Sequence, residues 1–333
     1  MPMDKIDFVI AWVDGSDPDW LREKARYSNN IYAGNEAERF REWDQLKYLF
    51  RGIERFAPWV NTVHFITWGH VPAWLNVEHP KLHIVRHEDY ISHEYLPVFS
   101  ANPIELNLHR IDGLAEQFVY FNDDMFLTNH VRPTDFFRDG IPCSTAGLSI
   151  PMQVSHQFAG ILLKDYGAIN HHFSSRDVLK QHFWKFVNYR YGLKRNLQTL
   201  LLMPYCASHF PGFYNAHGPN AFLKATFCEV WEKNADVLHA TCTHRFRSFD
   251  DVNQYLFLWW QWCKGQIVPR NTSKFVTYLS VLFPNSVIAE TITEQKTPVV
   301  VINDDWVDDF EQKKAAINRA FDKILGEKSS FEV

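Results

Sequence analysis

The chain has 333 residues, of which 46% are hydrophobic and 16% aromatic. That is enough to bury a large core, as one large domain or two smaller ones. Its net charge of −5 excludes the strongly basic face that a nucleic-acid partner requires. Five cysteines at irregular spacing with no CxxC pair exclude a zinc ribbon or a redox motif and read as reduced thiols in a cytosolic protein.

Residues 1–5 lead straight into an apolar run and do not read as a signal peptide. Ile6 to Val13 is a short buried-strand pattern that ends in the turn residues Asp14-Gly15-Ser16-Asp17-Pro18. In open α/β sheets ligands bind outside the carboxyl ends of strands, which makes this loop a candidate site. Glu42 to Phe56 carries Leu46, Leu49, Phe50, Ile53 and Phe56 at helical spacing, and Pro58 stops the helix. Strands are expected at Val63–Trp68, Leu82–Val85 and Phe118–Phe121, the last ending in Asn122-Asp123-Asp124.

From about Ser155 to Arg270 strand signals thin out. Helical, aromatic-rich stretches such as Asp177–Tyr191 and Asp251–Cys263 take over. Val299–Ile302 returns as an apolar strand before Asn303-Asp304-Asp305, and an amphipathic helix spans Asp309–Leu325. This return implies that the chain closes one sheet. A single domain is expected over 1–333, with an α/β part at 1–150, a mainly helical part at 151–295 and the returning strand and helix at 296–333. No apolar run reaches the roughly 18 residues that span a bilayer, so any membrane association, at the inner membrane, is expected to be peripheral. The many Trp, Tyr and Phe rings fit either a large core or a carbohydrate-stacking site.

Three expected strands of one sheet thus end in acids: Asp14 and Asp17, Asp123 and Asp124, Asp304 and Asp305. Carboxylates gathered at one sheet edge suit a divalent metal with a diphosphate; singly, each also suits a turn or an N-cap. His217 sits in the turn-rich Tyr214–Pro219 loop, where a ring titrating near pH 6.5 suits general acid–base work. Arg245 and Arg247 precede Ser248-Phe249-Asp250-Asp251; they could grip phosphate, or simply pair with local acids beside a helix cap.

WVDGSDP at Trp12–Pro18, the stretch Phe40–Phe137, HGPNAFLKATFCEVWE with HRFRSFDDV, and VVVINDDWVDDF resemble, in order, the four regions of the Stealth family. That family includes bacterial capsule hexose-1-phosphate transferases and the catalytic core of the animal N-acetylglucosamine-1-phosphotransferase. The resemblance is to the compact bacterial form. It implies an α/β fold with a Rossmann-like, glycosyltransferase-A-like, mostly parallel sheet and a helical section inserted before the last strand. It further implies Glu105, Asp124, His217 and Arg247 as the catalytic set. Trp12, Asp14, Gly15, Arg51 and Asn122 fall at the donor site, and Asp123, Asp124, Asn303, Asp304 and Asp305 near a Mg²⁺ or Mn²⁺ ion. Asp14 stands where some members carry Asn.

The implied reaction moves hexose-1-phosphate from a UDP-sugar donor to a hydroxyl of an oligosaccharide or polysaccharide acceptor, releasing UMP. Two alternatives remain open at this point: a metal-dependent glycosyltransferase that releases UDP, and a non-catalytic carbohydrate-binding protein.

Overall fold

The computed structural model describes residues 5–28, 41–151 and 156–333, with side chains from 158 in the last stretch. The expectations placed on residues 1–4, on Phe40 and on Ser155 lie outside the described residues.

The apolar runs form strands where expected. β1 (Ile6–Ala11), β2 (Val63–Thr67), β3 (Leu82–Arg86) and β4 (Gln117–Asn122) are mutually parallel, and β1 lies between β2 and β4. β5 (Met125–Leu127) follows β4 directly, and β6 (Phe137–Arg138) and β7 (Ile141–Ser144) come next. β8 (Asn220–Leu223), β9 (Val268–Pro269) and β10 (Val276–Ser280) lie within the stretch expected to be mainly helical. β10 and β11 (Val299–Asn303) precede the last helix, Phe310–Leu325.

The main sheet has the order β3-β2-β1-β4-β8, with β8 antiparallel at the edge beside β4. Two three-stranded sheets accompany it, β10-β11-β5 and β6-β7-β9. The expectation of a single closing sheet is therefore corrected: β11 pairs with β10 and β5, not with the main sheet. The turn Asp123-Asp124 joins the two sheets, because the chain leaves β4 through it and enters β5. The backbone N–H of Ile302 donates to the carbonyl of Asp124 at 2.9 Å, so the end of β11 is held against that turn.

Most of the aromatic content is core. The helix Tyr255–Cys263 (YLFLWWQWC) is apolar almost all round, as a fully enclosed helix must be, and every one of its residues is buried. Trp259, Trp260 and Trp262 are at most 2% exposed. The helix Leu46–Phe56 buries Leu46, Leu49, Phe50, Ile53 and Phe56 as their spacing requires. Gly52 lets it approach β5 closely: a Cβ there would stand 2.7 Å from the Leu127 carbonyl oxygen.

Candidate active site

Parallel strands align their carboxyl ends, and the register pairs Ala11 of β1 with Asn122 of β4. Trp12, Asp14 and Gly15 therefore leave the sheet beside Asn122, Asp123 and Asp124. Trp12 stacks on Phe65 of β2 with ring centroids 5.6 Å apart. The Asp14 N–H donates to His70 Nε2 at 2.7 Å, and its carboxylate accepts from the Ser16 N–H at 2.8 Å. Asp17 is a helix cap: it accepts from the N–H groups of Asp19 and Trp20 at 2.8 Å, which starts the helix Pro18–Tyr27.

Because β8 runs antiparallel, its first residue lies at this same edge, with Asn220 opposite Tyr120. His217, three residues earlier, thus reaches the acidic turn. Its Nε2 lies 3.0 Å from Asp124 Oδ2. Burial works against charge on His217, but Asp124 and the more distant Glu105 outweigh it and raise its pKa above the ordinary value. Tyr278 of β10 meets the imidazole edge-on at 5.9 Å.

Glu105 lies on the short helix Ala101–Leu106, capped by Ser100, and is 5% exposed. Burial pushes its carboxyl up to about 7, against the stabilising influence of the Gln254 N–H, Arg247 and Tyr120. Gln254 donates to it from both its backbone N–H (3.3 Å) and its side chain (3.2 Å), and the Tyr120 hydroxyl lies at 3.4 Å. Arg247 is half-buried and close enough to Glu105 for their charges to interact. The loop that carries it is pinned by Asp251, a fully buried carboxylate. Asp251 accepts from the Ser248 N–H (2.9 Å), from Asn102 (2.8 Å) on the Glu105 helix, and faces His244 Nδ1 at 2.6 Å.

Asp123 opens to solvent on one side, yet the protein packed around its other sides and the carboxylates of Asp124, Glu42 and Asp304 push it up to about 7. Glu42, which the sequence did not single out, is likewise raised, first by burial and then by Asp44 and Asp14. Among the described residues no three His, Cys, Asp or Glu side chains converge as a ready metal cage. Asp124 Oδ1, however, is buried and finds no hydrogen-bond partner among the described residues. A free carboxylate oxygen beside a crowded Asp123 fits a hard divalent cation that takes its remaining ligands from a diphosphate and water.

Four expected members of the site are engaged by other groups of the chain. Asp304 accepts from Arg41 Nε and from Trp43 Nε1, both at 2.9 Å, so its charge is already matched. Asn303 donates to the Asp304 carbonyl at 2.9 Å, and the Asp305 carboxylate accepts from the Trp306 N–H at 2.8 Å. Arg51, expected at the donor site, is 8% exposed and grips Glu332 with Nε and Nη2, both at 2.7 Å. It also donates to the Leu325 carbonyl at 2.9 Å. Its fork is used to fasten the C-terminal segment, which leaves none of it for a ligand.

The models of two Stealth regions match the sequence: conserved region 1 over residues 4–32 and conserved region 2 over residues 39–143. The capsular polysaccharide phosphotransferase WcwK of Streptococcus pneumoniae is 41% identical over 334 residues, covering 99% of this chain and 98% of that protein. The receptor polysaccharide phosphotransferase WefC of Streptococcus gordonii is 42% identical over 340 residues, covering 99% and 100%. The exopolysaccharide phosphotransferase cps2G of Lactiplantibacillus plantarum is 36% identical over 330 residues, covering 98% and 96%. Among solved structures, the galactosyltransferase LgtC aligns over 97% of this chain and 96% of its own, with a TM-score of 0.42 and 12% identity.

Proposed function

Since the chain belongs to the Stealth family, we propose that it is a sugar-phosphate transferase of capsular or exopolysaccharide synthesis. In this reading it moves hexose-1-phosphate from a UDP-sugar to a hydroxyl of an oligosaccharide or polysaccharide and releases UMP. The names of the full-length relatives support the phosphotransfer. The observation that carries the reading to chemistry is the His217–Asp124 contact at the carboxyl end of the sheet.

In neutral His217 the Nε2 proton rests on Asp124 Oδ2, which leaves the Nδ1 lone pair to accept a proton. The acceptor hydroxyl gives its proton to that nitrogen as its oxygen attacks the β-phosphorus. The bond from that phosphorus to the bridging oxygen breaks, and UMP leaves with the electron pair. The carboxylate of Asp124 steadies the imidazolium that forms. Arg247 spreads two parallel N–H groups toward the equatorial phosphate oxygens, where charge gathers in the transition state. Asp123 and Asp124 would hold Mg²⁺ or Mn²⁺ with the donor diphosphate, and the ion would supply charge neutralisation. Glu105, whose carboxyl burial pushes up to about 7 and so leaves partly protonated at neutral pH, suits hydrogen bonding to a sugar hydroxyl or to the transferred phosphate. Trp12, Asp14, Gly15 and Asn122 would line the donor side.

The test is incubation with a panel of UDP-sugars and oligosaccharide acceptors in Mg²⁺, followed by chromatography of the nucleotide released. UMP formed only when acceptor is present supports the proposal. UDP would identify a glycosyltransferase, and no turnover with any pair would favour a binding protein.

A further inference from the structure

The helix Leu193–Leu202 is packed inside out. Leu193, Leu197, Leu200 and Leu201 recur at the spacing of one helix face and are 85%, 52%, 44% and 63% exposed. The opposite face, which meets the protein, is polar except at the helix end, where Leu202 packs on the core. There the Thr199 hydroxyl accepts from the Leu148 N–H at 3.2 Å, and Gln198 donates to Ser149 at 3.3 Å. The Arg195 guanidinium lies over the Tyr214 ring, 3.3 Å from its centroid. A helix that turned its leucines outward only to meet water would lose the burial that normally holds a surface helix down. Three large amphipathic rings extend the same segment: Trp184, Tyr189 and Tyr205, at 75%, 83% and 77% exposed.

The charge of the segment is equally one-sided. Between Asp177 and Glu229 the sequence contains no Asp or Glu, although the whole chain carries more acids than bases. Lys180, Arg190 and Lys194, all exposed, accompany the leucines and rings. Exposed leucines, flanking Trp and Tyr and an uninterrupted positive charge are the features by which a helix lies in a bilayer interface of anionic lipid. At ten residues the helix is about 15 Å long, and no described helix is long and apolar enough to cross a membrane. It can only lie flat.

We propose that the segment Trp184–Tyr205 is a docking surface for an anionic membrane, with the helix Leu193–Leu202 as its wedge. Through Arg195 and Tyr214 the wedge leans on the loop that carries His217, so a docked molecule holds its candidate site close to the lipid. The docking itself does not depend on which group the site transfers.

The test is sedimentation of the full chain with vesicles of phosphatidylcholine alone and of phosphatidylcholine mixed with phosphatidylglycerol. The wild type should pellet with the mixed vesicles, and added salt should release much of it. The double variant Leu197→Glu, Leu201→Glu should bind roughly a hundred-fold more weakly, because two wedge side chains no longer enter the acyl boundary. Arg190→Glu with Lys194→Glu should bind at least about ten-fold more weakly and lose the preference for anionic lipid. All four positions are exposed, so thermal melting should stay at the wild-type temperature. Wild type that remains in the supernatant with both vesicle types overturns the proposal, as do folded variants that pellet as it does. A wild-type dimer that ignores vesicles and that Leu197→Glu converts to a monomer would also overturn it, by showing a contact between two copies of the chain.

Discussion

Arg51→Ala separates a structural role from a donor-binding one. Arg51 and Glu332 are both buried, with side chains 8% and 3% exposed, and two hydrogen bonds join them. Removing the arginine strands a buried carboxylate and leaves the Leu325 carbonyl short of a donor. Breaking one partner of a buried pair costs about 3–5 kcal/mol, a large share of the roughly 5–15 kcal/mol that holds a domain together. The urea midpoint, followed by tryptophan fluorescence, should fall accordingly. Changing both partners, Arg51→Met with Glu332→Leu, should recover most of the loss, since no lone charge remains. UDP-sugar binding by calorimetry, measured where each variant is folded, should be unchanged. The pH dependence has a definite sign. Burial pushes the Glu332 carboxyl up, but Arg51 and the Ser329 N–H outweigh that and leave it below its ordinary 4.5. The pair's contribution is therefore complete above pH 4.5 and fades as pH falls through the lowered value, so wild type and Arg51→Ala should converge in acid. A variant that unfolds at the wild-type midpoint but no longer binds UDP-sugar would instead make Arg51 a donor-site residue.

His217→Ala should lower turnover by about 10²–10⁴-fold, as loss of a general base does, with calorimetric donor binding nearly intact. Arg247→Lys keeps the charge but loses the fork, so turnover should fall far more than the melting temperature; equal losses would mark a structural arginine. Gly52→Ala pushes a methyl against the Leu127 carbonyl and should destabilise by about 1–3 kcal/mol in urea unfolding. Chelation by EDTA should abolish turnover and added Mg²⁺ restore it; full activity in excess chelator would remove the metal from the account.

Local signals were legible in the sequence, and distant pairings were not. Apolar runs bounded by turn residues placed β1 through β4 and β11 within about two residues, because such runs show in the sequence without reference to a pairing partner. β5 has three residues and β8 four, too short for any periodicity, yet β8 brings His217 to Asp124. The three acidic strand ends read alike, but their fates differ. Asp17 caps a helix, and Asp304 is matched by Arg41 from 263 positions away. Only Asp123 and Asp124 remain crowded at the turn between the sheets. Arg51 finds Glu332 at a separation of 281 residues, which no local pattern announces. The leucines of Leu193–Leu202 have helical spacing, but only their exposure shows that they face outward.

In the proposed reaction the phosphate travels with the sugar. A UDP-sugar labelled with ³²P in the β-phosphate, incubated with enzyme, Mg²⁺ and oligosaccharide, follows that atom directly. Label should appear in the acceptor product, resistant to phosphatase because it lies in a diester, and the UMP should be unlabelled. Label recovered in UDP, with an unlabelled glycoside as product, would contradict the proposed reaction.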